Sequence, residues 1–385
     1  MTTGTMPRAA FRRVVAGLVE AEITRQRGAP QKGALDRSGL ELDSLERLGV
    51  VASLHETFDL PAETFATAYP DTLDDWVDAV EMRAPSRLFV RTSGSTGAPQ
   101  RHGHDIADLL VEAQHFAGQV ARCRRVVAMV PVTHLYGIVW TALLPALLDV
   151  PVVEGAGGVL PALLPHDLIV AVPDQWAALS RLGRDWPSGV TGVSSGGPLP
   201  EAQAYAALDA GVSRMIEVYG ATETSGIATR QNPSEAYDLL PHWGVAKGNG
   251  TPCLLSRHGR QVDFPDRVAF AGDRRFRPVG RRDGAVQVGG RNVYPQRVAA
   301  LLQSLPKVKD ASVRLGTNGR LKAFVAIDRT DDPVKIEAEL RGIFRARLTP
   351  AERPMRLTFG TALPRNAMGK EADWAEERSD DAHIA

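Results

Sequence analysis

Cysteine is almost absent from this chain of 385 residues: Cys123 and Cys253 are the whole complement. Two distant cysteines exclude a disulfide framework and a paired-cysteine zinc site, and they suit a reducing cytoplasm. An excess of either charge is also missing, since 45 Lys+Arg balance 45 Asp+Glu. That balance removes the general electrostatic case for a nucleic acid or an anionic membrane surface as partner. No apolar run is long enough to span a bilayer, and the opening MTTGTMPRAAFRRVV has no apolar h-region of a signal peptide. What is present is 44% hydrophobic and 23% charged residues. This is a soluble globular composition with length for two or three domains.

Three blocks follow along the chain. Residues 1–84 read as helical: Leu45, Leu48, Val51, Leu54 and Phe58 recur at helical spacing, with Asp43 as candidate cap. Twelve Asp/Glu stand against two Arg between Asp36 and Glu81. Such acidity is either a solvated surface or a docking face for a basic partner. MRAPSR (82–87) reads as a linker. Residues 85–283 alternate strand-like runs (RLFV, RVVAMV, LIVAV, SGVTGV, RMIEVY) with helix-like stretches. This pattern predicts a largely parallel sheet covered on both faces, with ligands at the C-terminal strand ends. Residues 284–385 read as a small α+β unit, with strands ASVRL and KAFVAI and helices PQRVAALLQSL and DPVKIEAELRGIFRARL.

Directly after RLFV stands TSGSTGAP, residues 92–99. Glycines permit a tight turn, and successive N–H groups with the hydroxyls of Thr92, Ser93, Ser95 and Thr96 would form an anion-binding nest around Gly94 and Gly97. Taken alone, such a loop is as readily a polar turn. It resembles, however, the phosphate loop of the adenylate-forming superfamily of acyl-CoA synthetases, adenylation domains and luciferases. Five further segments resemble that family's motifs in order: VPVTHLYG (130–137), SSGGPLP (194–200), VYGATET (218–224), GRRDGAVQVGGRNVYP (280–295) and LPRNAMGK (363–370).

The resemblance implies an ATP-dependent, Mg²⁺-requiring activation of a carboxylic acid. It makes Lys370 the lysine that stabilises charge during adenylation, Glu223 the carboxylate for Mg²⁺, and Thr222 a donor to the α-phosphate. His134 lines the acyl site, while Gly197, Tyr219 and Gly220 lie on the nucleotide side, with Tyr219 stacking on adenine. Arg281 contacts the nucleotide and Asp283 is the hinge of C-domain rotation. Asp266 takes the ribose position if Gly272-Asp273 is a hairpin turn between RVAF and RFRPV; Asp273 is the other candidate. Each also has a plain reading: a surface carboxylate, a structural histidine, an ordinary salt bridge between Arg281 and Asp283, a solvated lysine.

Two departures stand out. Gln100 replaces the loop lysine, so that either Arg101 compensates or pyrophosphate binding is weaker. Only 91 residues precede Thr92, which implies that much of one α/β subdomain is missing. The segment SGLELDSLERLGVVASLHETFDLP in turn resembles an acyl carrier protein, with PDTLDDWVDAV as its last helix. On that resemblance Ser44 carries a phosphopantetheine arm; on the plain reading Asp43-Ser44 only caps a helix.

The expected fold is thus multidomain α/β: a helical carrier-like bundle (1–84), a shortened adenylation core (85–283) and a small mobile α+β lid (284–385). The expected reaction forms acyl-AMP, then passes the acyl group to coenzyme A, a separate carrier protein or the arm on Ser44. An aryl or similarly compact acid is favoured by the aromatic and small residues of HLYGIVW and VYGATETSG. The alternatives are a plain acyl-CoA ligase with structural N-terminal helices, and a non-catalytic carrier-docking protein with a vestigial nucleotide site.

Overall fold

A computed structural model describes residues 5–28, 42–65, 69–93, 99–155, 160–182, 186–248, 251–282, 284–289, 291–365 and 371–374. The N-terminal region is helical as expected: α1 (Arg8–Arg27), α2 (Ser44–Phe58) and α3 (Leu73–Glu81). Capping boxes start α2, between Asp43 and Glu46, and α3, between Thr72 and Asp75. The buried stripe of α2 is displaced from the one the spacing suggests. Val50, Leu54 and Phe58 are buried, whereas Leu45 is 67% and Leu48 54% exposed. Glu46 takes the buried position instead, paired with Arg27 of α1.

Next comes an antiparallel hairpin of β1 (Arg87–Ser93) and β2 (Pro99–Asp105), followed at once by α4 (Ile106–Gln119). RLFV therefore lies outside the parallel sheet to which the alternation assigned it. The strands β3 (Arg125–Ala128), β4 (Val152–Glu154), β5 (Asp167–Ala171), β6 (Thr191–Ser194) and β7 (Arg214–Ala221) are the parallel ones. Between β3 and β4 a helix runs as α5 (Leu135–Gly137), a π segment over Ile138–Leu143, and α6 (Leu144–Leu148). Helices α7 (Pro173–Leu179) and α8 (Glu201–Asp209) follow β5 and β6.

Period-two alternation splits the strand residues between two cores. Val126, Leu168 and Val170 face the core built by α1–α4 and the 135–148 helix. Val127, Ile169 and Ala171 face the one built by α7 and α8. A bidentate pair between Arg125 and buried Asp167, at 3.0 and 2.6 Å, aligns the starts of β3 and β5.

Antiparallel strands extend the sheet: β8 (Ser225–Arg230) and β9 (Tyr237–Leu239). A separate three-stranded sheet contains β10 (Trp243–Gly248), β11 (Thr251–Ser256) and β12 (Gln261–Asp263). The predicted hairpin is present as β13 (Asp266–Phe270) and β14 (Arg275–Arg281), and the large sheet has the order β13-β14-β9-β8-β7-β6-β5-β3-β4. The C-terminal part has a two-stranded hairpin of β15 (Val286–Val288) and β16 (Arg291–Val293), then α9 (Pro295–Gln303). A sheet in the order β17-β18-β19 (Asp310–Leu315, Leu321–Ala326, Arg356–Gly360) completes it, with α10 (Pro333–Arg347) between β18 and β19.

The chain divides into two compact units, residues 1–264 with 268–277, and residues 265–267 with 278–385. No division falls at residue 84. Phe11, Val14, Leu54 and Trp76 belong to the same continuous core as Trp140 and Leu144. Residues 1–84 thus form a helical layer of the first unit. The reason is close packing: a Cβ on Gly17 of α1 would lie 2.1 Å from Val132 Cγ1, so only glycine lets α1 approach the segment after β3 this closely. The second unit has its own core around Val298, Val325, Leu340 and Phe344.

Candidate active site

Three of the motif segments converge at the C-terminal ends of the parallel strands, where such sheets hold ligands. VPVTHLYG follows β3. Its Tyr136 hydroxyl lies 3.2 Å from the carbonyl of Ala171 and 3.1 Å from that of Val193, at the ends of β5 and β6. Burial pushes this phenol well above its ordinary pKa, so it remains a donor. His134 is exposed at the N-terminal end of the helix that Tyr136 anchors. SSGGPLP follows β6, and Ser195 Oγ donates to the Val218 carbonyl on β7 at 2.9 Å. Gly197 is half-buried in the turn after it.

VYGATET closes the hairpin from β7 to β8. Tyr219 is half-buried and packs on Tyr237 and Phe276, with ring centroids 5.7 and 5.4 Å away. Gly220 lies at a register shift in the β7–β8 ladder. Thr222 is half-buried and Glu223 exposed on the turn. A single exposed carboxylate fits Mg²⁺ held partly by substrate phosphates, the usual arrangement for that ion. No group of three His, Cys, Asp or Glu side chains among the described residues makes an all-protein metal cage.

The hairpin of β1 and β2 meets the Thr222 turn through one histidine. Residues 94–98 and the side chains of Thr92 and Ser93 lie outside the described residues, and with them the candidate Gly94, Ser95, Thr96 and Gly97. Buried His104 on β2 places Nε2 2.7 Å from the Thr222 carbonyl. Burial lowers its pKa to about 4, so at neutral pH the ring is uncharged and Nε2–H donates. Neither this histidine nor Glu112 behind the turn lies within a motif, so neither is marked in the sequence.

Arg101, the candidate replacement for the loop lysine, is engaged by the end of α2 and by Phe89. Its guanidinium donates to the Glu56 carbonyl (3.1 and 2.8 Å) and to Asp59 (2.8 Å), and lies 3.6 Å over the Phe89 ring. Arg91, its cross-strand partner, pairs with Glu56. Both arginines are thus engaged by the end of α2.

Asp266 is buried at the start of β13, while Asp273 is exposed on the turn beyond it. Asp283, the side chain of Arg281 and Lys370 lie outside the described residues. The segment after Lys370 is pinned within the second unit. Glu371 bridges to Arg365 and accepts from Ser312 Oγ at 3.1 Å. Lys322, only 5% exposed, reaches the Trp374 carbonyl and Asp373, both at 2.9 Å. Ser44 is exposed in the first turn of α2, beside exposed Leu45.

A family model described as AMP-binding enzyme matches residues 75–269. The chain is 38% identical to a 4-coumarate--CoA ligase of Halorhodospira halophila, over 93% of this chain and 97% of that protein. It is 37% identical to a 4-coumarate--CoA ligase of Rhodobacter capsulatus, over 94% and 99%. The part of this chain outside the first match is far shorter than 84 residues, so much of the N-terminal helical layer falls within the shared region.

Among solved structures, an amide bond synthetase from Marinactinospora thermotolerans aligns with a TM-score of 0.59 at 16% identity, covering 94% of this chain and 92% of that one. An o-succinylbenzoate CoA synthetase from Bacillus subtilis aligns with a TM-score of 0.56 at 20% identity, covering 74% and 67%. These two structures share the fold. No helix among the described residues is long and apolar enough to cross a membrane. With three of the motifs gathered at the strand ends and matches across most of its length, the chain belongs to the AMP-binding enzyme family and is an adenylate-forming ligase.

Proposed function

We propose that this protein activates an aryl carboxylic acid with ATP and passes the acyl group to coenzyme A. The observation that carries the reading is the placement of the His134 segment and the Thr222-Glu223 turn at the C-terminal ends of the parallel strands, with the β1–β2 hairpin bonded to the turn. That bond runs from His104 to the Thr222 carbonyl at 2.7 Å. The names of the two relatives above support an aryl acid and coenzyme A.

In the first step a carboxylate oxygen attacks the α-phosphorus, and the bond to pyrophosphate breaks. The loop over 92–97, Thr222 and Lys370 meet the negative charge redistributed there. Mg²⁺ at Glu223 would neutralise phosphate charge. Tyr219 and Asp266 face adenine and ribose, Gly197 and Gly220 leave room for the nucleotide, and Arg281 lies on the nucleotide side. His134 lines the acyl pocket. In the second step the thiol sulfur attacks the acyl carbon, AMP leaves with the bonding pair, and the thiol proton passes to solvent. The C-terminal unit turns about Asp283 between the steps, so that one pocket serves both and water is kept from the adenylate.

A second reading keeps Ser44 as a phosphopantetheine site. It is favoured by the exposure of Ser44 beside Leu45, and disfavoured by the merging of α2 into the core of the first unit. Carboxylate-dependent ATP–pyrophosphate exchange over a panel of aryl and short-chain acids, followed by thioester detection with coenzyme A, tests the first reading. Exchange and an acyl-CoA product are expected with an aryl acid. Acyl-AMP with no thioester until a phosphopantetheinyl transferase has added mass at Ser44 would favour the second. Silence over the whole panel would refute both.

A further inference from the structure

One continuous stretch of chain grips the acidic turn from behind. The stretch is β2 running without a break into α4. His104, near the end of β2, holds the Thr222 carbonyl at 2.7 Å. Glu112, on the buried face of α4, accepts the Gly226 amide at 3.1 and 3.2 Å and a hydrogen bond from Ser225. The turn is thus held by its carbonyl at one end and by its amide at the other.

The local sequence is shaped around this grip. A Cβ at position 226 would lie 2.5 Å from Glu112 Oε1, so glycine admits the carboxyl. Ser225 has a φ of 61°, a left-handed conformation that a residue with a side chain adopts only where its surroundings enforce it. The Gly226 carbonyl is held too, by Trp243 Nε1 at 2.8 Å. Glu112 is 3% exposed. Burying a carboxyl costs free energy that an apolar residue of similar size would not. Its bonds all go to Ser225 and the backbone of Gly226, so the work it does is directed at the turn.

We propose that His104 and Glu112 are positioning residues that lock the Thr222–Glu223 turn to β2 and α4, so that Thr222 and Glu223 are presented to the nucleotide in one fixed orientation. The proposal deepens the ATP-dependent reading above and rests on it for its chemical meaning. Neither side chain touches substrate: one acts through the Thr222 carbonyl, the other through the backbone at Gly226.

The test compares Glu112→Gln, which keeps a carbonyl acceptor, with Glu112→Leu and His104→Leu, which keep none or no donor. Hydrogen exchange over residues 219–230 should rise about tenfold or more in the Leu variants. It should stay near wild type in Glu112→Gln, with peptides of α9 and α10 unchanged in all three as a control for folding. In ATP–pyrophosphate exchange the Leu variants should lose about 10- to 100-fold in kcat, since a displacement of about 1 Å is enough for such a loss. The KM for the acid should stay within about twofold, and Glu112→Gln should retain most of the rate. Unchanged protection over 219–230 in folded Glu112→Leu overturns the proposal. So does equal loss of protection in Glu112→Gln and Glu112→Leu, or a defect confined to the KM for the acid. A wild type silent in the exchange assay sinks the ATP reading instead, and the protection data still decide whether the turn is locked.

Discussion

The two ends of the chain invite the same description, a small module appended to a catalytic core, and they are built on different principles. The N-terminal helices share a hydrophobic core with α4 and the 135–148 helix. The C-terminal unit encloses Val298, Val325, Leu340 and Phe344 in a core of its own. What separates them is how the N-terminal helices pack into the first unit. Besides Gly17 of α1 against Val132, Gly49 of α2 lies against the Glu22 side chain of α1. The N-terminal layer props two parts of the site: α1 behind the segment leading to His134, and the end of α2 beneath the phosphate-loop hairpin.

Core truncation should break the comparison most visibly. Phe11 and Phe344 are both fully buried, one in each core. Each Phe→Ala change should cost about 3–5 kcal/mol in its own unit. Phe11→Ala should lower the denaturant midpoint reported by β3 and β5 peptides in pulse-labelled hydrogen exchange, and leave α9 and α10 untouched. Phe344→Ala should do the reverse. If Phe11→Ala melts α1–α3 while the parallel sheet keeps its wild-type midpoint, the helices are a separate domain after all.

A smaller contrast is expected in acid. In the first unit burial lowers the pKa of His104 and His242 to about 4 from 6.5 and raises that of Glu112 to about 7 from 4.5. The signs oppose. A histidine neutral in the folded state loses stability as pH falls from 6.5 towards 4, because the unfolded chain binds the proton first. A carboxyl held protonated loses stability as pH rises from 4.5 to 7, because the unfolded chain releases its proton first.

Each such group changes stability by up to about 1.4 kcal/mol per pH unit within its window. Relative to wild type, His104→Gln should therefore flatten the fall in stability between pH 6.5 and 4.5, and Glu112→Gln should steepen it. Denaturant titrations of the three proteins at pH 4.5, 5.5 and 6.5 read the slopes. Parallel slopes in all three would mean that neither group titrates as its burial implies.

Much of this architecture was legible. Strand and helix alternation locates β3, β5, β6 and β7, because strands buried on both faces are apolar throughout, and the turn residues at Gly272-Asp273 locate the β13–β14 hairpin. What misled was RLFV, equally apolar, which pairs with β2 outside the parallel sheet; its burial comes from helix α2 and α4, and a four-residue run does not record which neighbour covers it. Leu45 and Leu48 misled likewise, since their spacing fits a buried stripe that Glu46 and Arg27 displace. The motifs were legible as residue patterns around polar turns. The supports behind them were not: a glutamate within a helix carries no mark of which backbone amide it will meet, because that contact exists only once α4 lies across β8.

The smallest effect concerns Arg101, and it bears on how the N-terminal layer serves the site. Gln100 stands where the resembled loop has a lysine, and a neighbouring arginine is an obvious replacement for a lost cation. The geometry assigns that arginine elsewhere, to the Glu56 carbonyl, Asp59 and the Phe89 ring. Its side chain is 35% exposed and that of Asp59 is 63% exposed, so solvent screens the ion pair. Arg101→Gln should then cost only about 1 kcal/mol, mostly from lost contact with the ring and the helix end. The KM for ATP should move by no more than about threefold, because the cation is not aimed at phosphate. A phosphate-binding arginine behaves differently: removing a charge-assisted contact to the nucleotide costs about 1.5–3 kcal/mol, or roughly 10- to 150-fold in binding. Steady-state kinetics with ATP varied, alongside a thermal melt, separates the two. A large rise in the KM for ATP with an unchanged melting temperature would move Arg101 from the support of the hairpin to the nucleotide site.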